Sequence, residues 1–111
     1  MVNVPVQRYS IQRRYQRYPV DRAVAAVLQS DGSPFLTIPG RCRTFSEGGL
    51  GATMTQQLTI GQVVSLQQSN ALRVYAAVRN LHGYNHGFEF VLLRDAQRSA
   101  VQRLCQTWRG L

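Results

Sequence analysis

The sequence predicts an all-β domain with a terminal helix: a six-stranded antiparallel β-barrel capped by one C-terminal α-helix. Three observations predict it. Short apolar or alternating runs recur at hairpin spacing from Val20 onward, glycine-dense turns separate them, and the last stretch changes from strand period to helical period. A chain of 111 residues has room for one such domain.

Taken in order, the first strand is the apolar run Arg22 to Leu28 (RAVAAVL), closed by the Asp31-Gly32 turn signal. Phe35 to Phe45 (FLTIPGRCRTF) is a long strand in which Pro39-Gly40 predicts a bend or bulge. A glycine-dense turn follows at Ser46 to Gly51. Short strands are expected at Leu50 to Met54 and Gln62 to Gln68. Leu72 to Arg79 alternates, with Leu72, Val74, Ala76 and Val78 on one side. After the turn HGYNHG, Gly87 to Leu92 places Phe88, Phe90 and Leu92 on one face. Leu93, Ala96, Ala100, Val101, Leu104, Cys105 and Trp108 then make a helical apolar stripe over about residues 93–109. Asp95 suits its start; Arg103, Arg109 and Gly110 suit its end. There is no sequence repeat and no low-complexity segment. Residues 1–19 stand apart as a flexible basic arm, and residues 20–111 form the barrel and helix.

The charge is lopsided. Thirteen basic residues face five acidic ones, for a net charge of +8, and every basic residue is Arg. The guanidinium fork matches phosphate oxygens and guanine edges, which points to a phosphate-bearing partner. Five scattered carboxylates argue against an acid-rich hydrolase, and no catalytic residue is expected. No apolar run reaches membrane-spanning length, and the N-terminus lacks the apolar core of a secretory signal. Cys42 and Cys105 are too few for a disulfide framework, so both are expected as reduced core thiols in a cytoplasmic protein. His82 and His86 lie four apart in a turn with no third ligand nearby, and no metal or cofactor is expected.

Two segments carry candidate chemistry. In the arm, Arg13 and Arg17 flank three residues, with Arg14 beside them; such forks clamp phosphates or guanine O6 and N7, and Tyr15 and Tyr18 are candidate stacking rings. The plain alternative is a solvated basic tail. The second segment, Thr44-Phe45-Ser46-Glu47-Gly48-Gly49-Leu50, ends a strand in a hydroxyl and two glycines. Glycines there permit positive φ and close approach of backbone N–H groups to a ligand. The plain alternative is a hairpin turn. No GK[ST] follows, so it is not a Walker loop.

Together, the order and setting of RRYQR and TFSEGG resemble the PilZ domain, the bacterial receptor module for cyclic di-GMP. That family carries RxxxR in an N-terminal arm and [D/N]xSxxG at the end of an early barrel strand. Arg13 and Arg17 match the first motif, and Ser46 and Gly49 match most of the second. The resemblance runs from about Arg13 to Trp108, including GFEF and the terminal helix. It implies cyclic di-GMP bound by Arg13, Arg14, Arg17, Thr44, Ser46, Gly48 and Gly49, with the arm ordering over the ligand and a downstream protein partner reading the result. Thr44 departs from the family pattern, which has Asp or Asn there to hold a guanine edge. A carboxylate accepts from both guanine N1–H and N2–H, a hydroxyl from one, a difference of roughly 1.5–3 kcal/mol or about 10- to 100-fold. Two alternatives stand beside this reading: a basic barrel that tracks single-stranded nucleic acid by charge and stacking, and a degenerate PilZ domain acting only through protein partners.

Overall fold

A computed structural model describes residues 15–28 and 35–109. Arg13 and Arg14, the Asp31-Gly32 turn and Gly110 lie outside the described residues. Six strands, β1 (Tyr18–Leu28), β2 (Leu36–Phe45), β3 (Gly49–Met54), β4 (Val63–Gln68), β5 (Leu72–His82) and β6 (Asn85–Val91), precede one helix, α1 (Asp95–Arg109). The strands close into a barrel in the order β1-β2-β3-β6-β5-β4, with every neighbouring pair antiparallel. Closure gives each of the six strands a neighbour on both sides and leaves no edge strand.

The inward residues fill the barrel: Val24, Ala26, Ile38, Cys42, Phe45, Val64, Leu66, Val74, Val78 and Phe88 are all buried. The apolar side of α1 closes the assembly. Val101, Cys105 and Trp108 are buried, and the Trp108 ring meets Phe45 edge-on at a centroid distance of 4.7 Å. Such a contact contributes about 0.5–1.5 kcal/mol beyond the area it buries. Gln97 ties the helix start to β5 by donating from Nε2 to the Arg73 carbonyl at 2.9 Å, while its Oε1 accepts the Arg94 N–H at 2.8 Å. Ala96, expected on the apolar stripe, is exposed.

Four local readings change. The strand β1 starts at Tyr18, so Tyr18 and Pro19 belong to the barrel wall, where they pair with Phe45 and Thr44. Tyr18 is buried in the core, which removes it as a stacking ring. β2 runs through Pro39 and Gly40 in unbroken register with β1, and Gly40 is needed for room: a Cβ there would come within 2.7 Å of the Thr53 carbonyl oxygen. Its irregularity against β3 lies further on, between Cys42 and Thr44. Finally, β6 ends at Val91, and Leu92 turns to φ 56° and stays exposed, so it does not share the face of Phe88 and Phe90.

Candidate functional site

Two bulges decide what the outer wall presents. On a regular strand, Cys42 and Thr44 would face the same way, as would Val78 and Asn80. The register shifts at Arg43 in β2 and at Arg79 in β5 break that alternation. Each extra residue turns the next side chain outward. Cys42 and Val78 therefore stay in the core, while Thr44 and Asn80 join the outer face.

Between them lie two glycines. Thr44 pairs with Gly51, Gly51 with Gly87, and Gly87 with Asn80, a row that crosses four adjacent strands. The row has polar ends and a bare floor. A Cβ on Gly51 would come within 2.7 Å of Thr44 Oγ1, and one on Gly87 would meet Asn80 Cγ at 2.7 Å. Thr44 and Asn80 thus lean inward over the glycines. The floor belongs to a cavity of about 730 Å³, whose rim carries Arg17, Arg43 and Arg79 against the single carboxylate of Glu89.

The turn between β2 and β3 forms one wall. The Ser46 N–H donates to the Gly49 carbonyl at 2.8 Å. The Ser46 hydroxyl accepts the N–H groups of Gly48 and Gly49, each at 3.2 Å, and donates to the Gly49 carbonyl at 3.2 Å. With donor and lone pairs all used, the hydroxyl holds the turn in shape. Neither glycine of this turn adopts positive φ. They are needed for space: Gly49 passes against the Phe88 carbonyl, and the Tyr15 ring packs on Gly48, where a Cβ would sit 2.7 Å from Cδ2. Phe90 N–H donates to the Gly48 carbonyl at 2.9 Å and fixes the turn to β6.

The guanidinium groups are steered by carboxylates. Asp21 Oδ1 accepts from Arg41 Nε at 2.7 Å and from Arg43 at 3.4 Å. The hydrogen bond from Arg41 holds the Asp21 carboxyl below its ordinary range. Arg79 Nε donates to Glu89 Oε1 at 2.5 Å across β5 and β6. These pairs are about half exposed, so their weight is in placing the forks rather than in stability.

His86 lies buried beneath the floor. Its Nδ1–H donates to the Tyr84 carbonyl at 2.8 Å, and its Nε2 accepts the Leu58 N–H at 3.0 Å. Both nitrogens are used in holding loops. Among the described residues no group of three side chains could hold a metal ion.

Of the candidates read from sequence, Arg17, Thr44, Ser46, Gly48 and Gly49 all line this one cavity. Sequence reasoning missed Arg43, Asn80, Gly51 and Gly87. The bulges that expose Arg43 and Asn80 depend on strand pairing, and the two glycines become one floor only when β3 lies beside β6.

A family model described as the PilZ domain matches residues 11–107. The chain belongs to the PilZ domain family. No curated protein matches its sequence. Among solved structures, this PilZ domain is similar to the PilZ domain with c-di-GMP of YcgR from Escherichia coli, with a TM-score of 0.71 and 18% identity over 89% of this chain and 92% of that one. It is also similar to the PilZ domain of CeSA from a cellulose synthesizing bacterium, at TM-score 0.64 and 19% identity over 85% of this chain and 98% of that one. Against YcgR in complex with c-di-GMP from Escherichia coli the TM-score is 0.68 and the identity 17%, over 89% of this chain and 46% of that one. At these identities the likeness is one of fold: a closed six-stranded barrel followed by a helix.

Proposed function

We propose that this PilZ domain is a receptor module for cyclic di-GMP, bound in the cavity between the Ser46–Gly49 turn and the glycine floor. The observation that carries the reading is the convergence of Arg17, Thr44, Ser46, Gly48 and Gly49 on one cationic cavity. The YcgR PilZ domain, similar in fold, is a domain with c-di-GMP, which supports the same ligand class here.

In this reading Arg13, Arg14 and Arg17 close over the two phosphates and the guanine edges. Thr44 meets one base edge, and Ser46 keeps the Gly48-Gly49 backbone in the shape that receives the ligand. Ordering the arm costs about 1–2 kcal/mol per residue fixed, which the charge-assisted Arg contacts offset. The ordered arm and ligand form a new surface for a downstream protein partner, and no residue is assigned a catalytic role. Among the described residues no helix is long and apolar enough to cross a membrane, and we assign the module to the cytoplasm, where its buried thiols stay reduced.

Titration calorimetry of the full chain with cyclic di-GMP at physiological salt tests the proposal. Saturable binding that falls at least tenfold in Arg17→Ala is expected. Heat only with a single-stranded oligonucleotide, lost steeply with salt, would replace the reading with nucleic-acid tracking. Heat with neither would leave a domain that works through protein partners alone.

A further inference from the structure

The two hairpins that bound the floor, β2–β3 and β5–β6, repeat one geometry without repeating a sequence. Cys42 corresponds to Val78, Arg43 to Arg79, Thr44 to Asn80 and Gly51 to Gly87, each 36 residues later. Thr44 pairs with Gly51 as Asn80 pairs with Gly87, and each hairpin has its register shift at the Arg. Because β3 and β6 are antiparallel and pair through Gly51 and Gly87, a local two-fold axis passes between those glycines. It carries one hairpin onto the other, and the Ser46–Gly49 turn onto the turn from His82 to Asn85.

We infer that the cavity is built as two half-sites, and that Arg79 and Asn80 form the second, taking the other nucleotide unit of a cyclic dinucleotide while Arg43 and Thr44 take the first. The inference rests on the cyclic dinucleotide reading above. Such a ligand is itself two-fold symmetric and carries two phosphates, so a symmetric pair of Arg forks on a bare floor matches its charge and its shape. Thr44 and Asn80 stand three strand spacings apart, about 14 Å, with only glycine between them.

The halves differ in what they can read. Thr44 offers one hydroxyl, a donor and an acceptor on the same atom. Asn80 offers a planar amide whose Oδ1 can accept guanine N1–H while its Nδ2 donates to O6. Adenine presents the reverse pattern at those two positions, and the same amide meets it after a half-turn about χ2, so Asn80 grips a base edge without choosing between purines. A two-point grip on a base edge therefore resides on the β5 side, on a residue outside both the RxxxR and the [D/N]xSxxG segments. The symmetry ends at the rim: the arm, with Tyr15 and Arg17, serves the Ser46 turn, while His82 and Asn85 lie at the opposite end.

The experiment titrates cyclic di-GMP into the full chain and its variants by calorimetry. Asn80→Ala is expected to bind cyclic di-GMP about tenfold more weakly than wild type. Gly87→Ala is a second route to the same result, because its methyl group displaces the Asn80 amide while leaving it chemically intact. Arg73→Ala, on the same strand outside the cavity, is expected to leave the affinity unchanged. Wild-type binding of cyclic di-GMP with unchanged affinity in Asn80→Ala would overturn the second half-site and leave the receptor reading standing. No wild-type binding of cyclic di-GMP would overturn the receptor reading itself, and this inference with it.

Discussion

The ring of Tyr15 rests on the backbone of Gly48, close enough that a methyl group at residue 48 would collide with it. Tyr15 sits between Arg14 and Arg17, so this contact fastens the arm to the turn beside the cavity. A tethered arm has fewer residues left to order around a ligand, which lowers the entropic cost of closing. Tyr15→Ala and Gly48→Ala should therefore each weaken cyclic di-GMP binding by about 3- to 10-fold while leaving the thermal midpoint nearly unchanged. Calorimetry and a melting curve on the same samples check it; full affinity in both variants would mean the ring has no part in binding.

Gly49 behaves differently. A Cβ there would strike the Phe88 carbonyl on β6, and backbone within a closed barrel has little room to yield. Gly49→Ala should cost about 1–3 kcal/mol of stability, as overpacking does. Urea unfolding should show a lower midpoint with an unchanged slope.

Thr44→Asp should raise affinity for cyclic di-GMP by about 10- to 100-fold, since a carboxylate accepts both guanine N–H donors that one hydroxyl must share. Gly51 leaves the space above the floor into which the longer side chain extends. A calorimetric titration of the variant decides it, and unchanged or lower affinity would place the base away from this end of the cavity.

Burial pushes the Cys42 thiol up to about 11. Its ordinary value is near 9, so between those values the unfolded chain releases a proton that the folded chain keeps. The thiol's contribution to stability is complete below pH 9 and is lost as pH rises toward 11. Iodoacetamide at pH 8 should leave Cys42 unmodified in native protein and label it in denaturant, as read by mass spectrometry. Rapid native labelling at that position would contradict the burial.

The barrel was legible because its inward positions are apolar and its turns carry glycine, signals that are local in sequence. Leu72 to Val78 alternates as plainly on paper as it does in β5. The helix was legible for the same reason, through Val101, Cys105 and Trp108. Half of the cavity lining was legible too, because TFSEGG lies within one hairpin. Arg43 and Asn80 were hidden because each owes its outward direction to a bulge, and a bulge is a property of two paired strands. Tyr18 was misread because its neighbours are basic, and a run of Arg conceals a single inward ring at the first position of a strand. The Ser46–Gly49 turn does not use the positive φ that glycine permits: its glycines answer to neighbours distant in sequence, Phe88 and Tyr15, which local reading does not reveal.

The chain has a single tryptophan, and its indole touches Phe45, the residue between Thr44 and Ser46. The protein thus contains its own optical reporter, one side chain removed from the proposed binding surface. Any rearrangement of the β2–β3 turn should alter the environment of that fluorophore, so occupancy can be followed by emission without attaching a dye.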